Sequence, residues 1–246
     1  AYDQIFHEIC LQKTPCIIAI DRAGVVGADG PTHHGLFDIA YLRTLPELVV
    51  AAPKNGSEIY SLMKFALDNR LTLALRYPRE RCPDSALSFL PENITLGKGE
   101  VINNGSDIAF LAYGSTVDTC LKAAELLAKE NIIPTVVNMR FVKPIDRQLI
   151  YETAQKHKYI ITVEEHALAG GFGSAVIEVL NDSQSLNPVN VSRPFVVHRV
   201  GIPDEFASHA NREELLTHYG LDASSLVKLC KHFLRKMQGK MQGKVS

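Results

Sequence analysis

The chain has 246 residues, 46% of them apolar and 22% charged, with a formal net charge of −1. That balance suits a soluble globular protein of one large or two modest domains, and it offers no basic footprint for nucleic acid or a membrane surface. No apolar run approaches the ~20 residues of a membrane span, and no basic segment followed by an apolar stretch marks a signal peptide.

The opening AYDQIFHEICLQ places Tyr2, Ile5, Phe6 and Ile9 on one helical face, with no capping Ser, Thr, Asp or Asn ahead of them. With Ala1 in place of an initiator methionine, this reads as a chain entered in mid-helix, from which upstream residues have been lost. PCIIAID (15–21) is a short apolar run ending in an acid, the pattern of a buried parallel strand. Gly-rich loop sequence follows from Ala23 to Gly35, and ELVVAAP (47–53) reads as the next strand. Asn55 with Glu58 three residues on has the form of a capping box. Behind it Ile59, Leu62, Met63, Ala66 and Leu67 mark a helix face. LTLALRYP (71–78) is a further strand, and residues 81–98, rich in Pro and Gly, read as an interdomain linker.

A second alternating unit follows. Strand SDIAFLAYG (106–114) precedes a helix that Ser115 can cap and that runs to Lys129. IPTVVNMRF (133–141) is a strand, Pro144 and Asp146 start a helix, and YIITVEEH (159–166) is a strand. Gly170, Gly171 and Gly173 lead into a helix through Leu180, PFVVHRVG (194–201) is a strand, and helices near 211–219 and 224–235 close the unit. The alternation implies mostly parallel sheets covered by helices. MQGK occurs twice in tandem, and 237–246 is expected to be a disordered tail. The five cysteines form no CxxC pair or metal-ligand cluster, which fits free thiols in a reducing compartment.

The richest stretch chemically is DRAGVVGADGPTHHGLFD (21–38), at the carboxyl end of a strand, where open α/β sheets bind ligands. It packs Arg22, Asp29, His33, His34 and Asp38 among glycines that allow close backbone approach. A polar surface loop has the same composition. Arg79 ends a second strand, and parallel neighbours would put it at the sheet edge that carries Arg22. Two arginines there suit a phosphate or carboxylate, although a pair of solvated arginines reads the same way. GGFGS (170–174) lacks the dinucleotide spacing, so close packing suits it better than nucleotide binding. Glu164 and Glu165 end a strand, with a solvated or interface pair as the default. His166, His198 and His209 show no metal spacing.

The run YDQIFHEICLQKTPCIIAIDRAGVVGADGPTHHGLFD closely resembles the 1-deoxy-D-xylulose-5-phosphate synthase family. The resemblance extends through LRYPR (75–79), MRFVKPID (139–146) and TVEEHALAGGFGS (162–174), and covers residues 1–235. It implies an α/β chain in which 1–80 is the later part of a transketolase-type pyrimidine-binding domain. Residues 81–98 are then the linker, and 99–236 a complete transketolase C-terminal domain. The family joins pyruvate to D-glyceraldehyde 3-phosphate with loss of carbon dioxide, feeding isoprenoid, thiamine and pyridoxal synthesis, and uses thiamine diphosphate and Mg2+. By resemblance, Arg22 and Arg79 bind the acceptor phosphate, while Asp29 and His33 face the reacting carbons and handle protons. His34 has no role in the family pattern.

The resemblance also places the cofactor-activating glutamate, the metal ligands and the diphosphate-binding residues upstream of Ala1. The chain is therefore expected to bind no cofactor and to be inactive alone. It would act in a homodimer, or with a separate chain carrying the missing domain, in the bacterial cytoplasm or plastid stroma. A 2-oxoacid dehydrogenase E1 β subunit shares both domain types but has no need of the Arg22 and Arg79 pair. Sugar transketolase shares the GxDGPTH core but fits DRAGVVGADG poorly, and a non-catalytic dimerisation module is the reading from another class.

Overall fold

The computed structural model describes residues 1–81, 93–106, 108–186 and 194–242. Residues 82–92 of the expected linker, Cys82 among them, lie outside the described residues. Strands β1 (Ile17–Ile20), β2 (Leu48–Ala51) and β3 (Thr72–Arg76) lie parallel, with β3 between the other two. All five residues of β3 are buried, as its unbroken apolar run requires of a central parallel strand, whereas the edge strand β1 is only half-buried. Helices α2 (Asp38–Leu42) and α3 (Gly56–Asp68) join these strands. A second sheet has the order β4-β6-β5-β8-β9, from β4 (Glu100–Asn103), β5 (Ile108–Ala112), β6 (Thr135–Asn138), β8 (Tyr159–Ala167) and β9 (Val196–Ile202). Helices α4 (Thr116–Ala128), α5 (Arg147–Lys156), α6 (Phe172–Leu186), α7 (Arg212–His218) and α8 (Ala223–Gln242) complete it.

Four local expectations change. The opening helix α1 (Tyr2–Gln4) widens into a π-helical segment, Ile5–Cys10, closed by bonds such as Leu11 N to Phe6 O and Thr14 N to Ile9 O. The wider winding rotates the apolar face, so Cys10 is buried while Tyr2 and Phe6 are exposed. The run 133–141 is two strands. After β6 the chain kinks at Arg140, at φ 24, and β7 (Phe141–Lys143) joins the first sheet antiparallel to β2. Third, α3 buries Ser57, Glu58, Ser61, Leu62 and Ala66, and exposes Met63 and Leu67. Fourth, the expected tail is helical to Gln242, because Met, Gln and Lys extend an existing helix more readily than they start one; residues 243–246 lie outside the described residues.

The kink and the polar face of α3 have one cause. Glu58 is fully buried, 2.7 Å from Arg140 Nε, and accepts from Asn138 Nδ2 at 2.8 Å and Lys54 N at 2.6 Å. Arg140 also reaches Glu100 at 2.8 Å. A buried carboxylate is tolerable only with such partners. They all sit where the chain crosses between sheets, so α3 turns its polar side inward there. One apolar cluster takes Ile39, Leu42, Val50 and Ala74 from the first unit and Leu111, Tyr113, Ile150 and Phe172 from the second. The two sheets thus share a core. No helix among the described residues is long and apolar enough to cross a membrane.

Candidate functional site

Local backbone chemistry folds the Gly-rich loop back over the ends of β1 and β3. Gly24, Gly27 and Gly30 take positive φ (84, 81 and 73), and Gly30 N and His33 N close successive turns onto Gly27 O and Gly30 O. Arg22 holds the left-handed region at φ 61 without being glycine, a conformation that costs free energy and is over-determined here. Its amide bonds Asp21 Oδ1 at 2.7 Å, and Ala23 N bonds Tyr77 O at 2.9 Å.

The last of these bonds sets the loop beside the segment after β3. Arg79 donates to Asp29 Oδ2 at 2.7 Å, and Arg22 lies 3.5 Å from the same oxygen. All three side chains are open to solvent. Two guanidinium groups sharing one carboxylate leave a net positive charge with spare donors, an arrangement that can receive a doubly charged oxyanion. His33 is exposed two turns along the loop, its Nδ1 2.9 Å from Thr32 Oγ1.

Behind the loop the residues are structural. His34 Nδ1 accepts from Val26 N at 3.0 Å, which leaves the proton on Nε2, 3.4 Å from Ser208 O. His34 therefore ties the loop to the segment before α7. His209 packs against Gly30, where a Cβ would meet its ring. Glu165 is buried, accepts from Val25 N at 3.2 Å and Ser115 Oγ at 3.0 Å, and pairs bidentately with Arg212 at 2.6 and 2.7 Å. Ser115 thus spends its hydroxyl on Glu165 and makes no capping bond to α4.

A buried charge cluster underlies the whole. Arg76 donates to both oxygens of Asp38, at 2.8 and 3.2 Å, to Gly35 O at 3.1 Å and to Glu165 O at 3.3 Å. Burial would raise the Asp38 carboxyl, but the Arg76 guanidinium outweighs it and holds the group below the usual carboxylate range. His166 Nε2 accepts from Ile39 N at 3.1 Å, and Nδ1 faces Ala167 O at 2.8 Å, so the proton sits on Nδ1. Burial, reinforced by Arg76, pushes this imidazole down to about 4.

Glu164, fully buried, accepts from Phe172 N at 2.5 Å and Gly173 N at 2.7 Å. Burial pushes it up to about 7 against the pull of those amides. The GGFGS turn therefore cradles the chain's own Glu164 carboxyl. A Cβ on Gly171 would run into Glu164 Oε2. Because Gly24 combines φ 84 with close approach to Glu165, Gly24→Ala should lower stability by about 2 kcal/mol or more, read as a lower urea midpoint.

Sequence reasoning grouped Arg22 with Arg79 and set Asp29 beside His33; the structure brings Asp29 to the two arginines. It read Glu165 as a strand-end acid with a solvated or interface role, and it missed Arg76 and Arg212. Arg76 had a signal, a charge closing an otherwise apolar strand; Arg212 had none. Among the described residues no group of three or more His, Cys, Asp or Glu could hold a metal ion.

Comparison with known proteins matches the transketolase pyrimidine-binding domain to residues 1–84 and the transketolase C-terminal domain to residues 97–226. A 1-deoxy-D-xylulose-5-phosphate synthase of Heliobacterium modesticaldum is 45% identical over 231 residues, 94% of this chain and 34% of that protein. Synthase 1 of Geobacter metallireducens is 46% identical over 235 residues, 96% of this chain and 36% of that protein. The chain thus spans about a third of the length of the curated relatives it matches. A solved structure described as a split gene transketolase, inactive β4 tetramer, superposes with TM-score 0.79 at 31% identity, over 93% of this chain and 70% of that one.

Proposed function

Because the chain belongs to the transketolase family, we propose that it forms the acceptor-binding side of a 1-deoxy-D-xylulose-5-phosphate synthase. The observation that carries this reading is the convergence of Arg22 and Arg79 on Asp29 at the carboxyl ends of parallel strands. The complete enzyme would join pyruvate to D-glyceraldehyde 3-phosphate, releasing carbon dioxide. Bound thiamine diphosphate would supply the electron sink for the decarboxylation.

Among the described residues no cluster of His, Cys, Asp and Glu fits its metal site, and the Asp29 carboxylate between the loop's arginines is already shared by both of them. The cofactor and Mg2+ are therefore assigned to parts of the enzyme outside this chain, in a homodimer or on a companion chain. A bacterial cytoplasmic setting fits the relatives. This chain's own contribution is to hold the acceptor. Arg22 and Arg79 bind the phosphate, Asp29 bridges the two guanidinium groups, and His33 gives a proton to the aldehyde oxygen as it becomes a hydroxyl.

In the complete synthase, Arg79→Ala should raise the KM for the phosphorylated aldehyde about 10- to 100-fold, the cost of one charged hydrogen bond. The KM for pyruvate should stay within about twofold. Equal rises in both would remove the phosphate role.

A further inference from the structure

We propose that Arg212, on the second sheet's side of the molecule, is a positioning residue that sets the distance between Arg22 and Arg79. Its side chain is mostly buried and grips two separate segments at once. NH1 donates to Val25 O at 2.6 Å, three residues after Arg22 and four before Asp29. Nε donates to Glu80, the residue next to Arg79. NH1 and NH2 together hold Glu165, whose Oε2 takes the Val25 amide at 3.2 Å. The Val25 backbone is therefore pinned through both its N–H and its C=O. Only a planar fork with donors on three edges can serve these acceptors together; a lysine ammonium is a single point.

The grip is rigid at its base. Arg212 is the first residue of α7, whose capping box pairs Asn211 with Glu214. Glu165 is fixed from its far side by Ser115. The loop is also pressed onto this support. A Cβ on Gly24 would strike Glu165, and one on Gly27 would come within 3.2 Å of Arg212 N. Near the two arginines the segments also share the Ala23 to Tyr77 bond and the common contact with Asp29, which is itself on the loop. Arg212 acts through the Val25 backbone, three residues after Arg22, and through Glu80, the neighbour of Arg79. The proposal rests on the phosphate reading of the site, since what it predicts is affinity for an oxyanion held between two guanidinium groups.

Glu80→Gln in the complete synthase cuts only the tie to the Arg79 segment, and Glu80 is exposed enough for the fold to survive the change. The aldehyde KM should rise about 3- to 10-fold, with the pyruvate KM within about twofold. Arg212→Lys, which keeps the charge but not the fork, should raise the aldehyde KM about tenfold or more. In the 246-residue chain the Val25 amide should exchange faster in Arg212→Lys while the Ile161 amide in β8 does not. An unchanged aldehyde KM in Arg79→Ala would sink the phosphate reading itself. A raised KM there, with no selective rise in Glu80→Gln or Arg212→Lys, would overturn the positioning role alone, as would unaltered Val25 exchange.

Discussion

Arg76→Met should destabilise the chain by about 3–5 kcal/mol, the cost of removing one partner of a buried ion pair. Asp38 is 5% exposed and depends on the fork of Arg76, and both groups sit where the loop, α2 and the second sheet meet. Truncating the arginine leaves a buried carboxylate facing a neutral imidazole, His166, 3.9 Å away. It also strips donors from Gly35 O and Glu165 O, and removes the guanidinium that lies 6.0 Å over the Tyr113 ring. The pair is costly to break without being a large net source of stability, because the desolvation of both ions offsets much of their attraction. Arg76→Met with Asp38→Asn should therefore recover at least half of the loss. Urea midpoints of the single and double variants decide this. A single-variant loss under about 1 kcal/mol would mean that water or another cation reaches Asp38.

The same contrast between local and distant causes explains what the sequence could tell. β5, the core of β3 and the YIITV start of β8 were legible because strands buried on both faces show as apolar runs. The grouping of Arg22 with Arg79 followed from two parallel strands ending at one sheet edge, which is a topological rule. The inward turn of α3 was not legible, because the reason Glu58 is buried is Arg140, far along the chain where it crosses between the sheets. The split of 133–141 fails for the same reason. Its apolar pattern suits either sheet, and only the Glu58 and Glu100 contacts fix the crossing at Arg140. Glu165 reads as one more strand-end acid until Arg212 is placed beside it. Polar residues buried by distant partners are what a single sequence conceals, and here they are what positions the site.

The Glu164 and His166 pair gives the second large effect, because folding changes which of the two holds a proton. In the unfolded chain Glu164 loses its proton near pH 4.5 and His166 near 6.5, so between them one proton is held, on the imidazole. In the fold Glu164 holds its proton to about 7 and His166 gives its own up at about 4, so again one proton is held, now on the carboxyl. Folding moves the proton 4.0 Å across the pair with no net uptake.

Wild-type stability should consequently be nearly flat in this pair's contribution from about pH 4.5 to 6.5. Asp38 and Glu100, both lowered, act below that window. Glu164→Gln leaves only the depressed imidazole. The unfolded state then binds more protons, and stability should rise with pH across the window by up to about 3 kcal/mol. His166→Gln leaves only the raised carboxyl, and stability should fall with pH over about 4.5 to 7 by a similar amount. His198, also lowered, adds the same rising slope to every variant and cancels between them. Urea midpoints at half-unit pH steps give all the curves. Opposite slopes in the two single variants are the expected result; a flat curve for His166→Gln, with the wild type rising as Glu164→Gln does, would show that Glu164 stays ionised throughout, held so by the α6 amides.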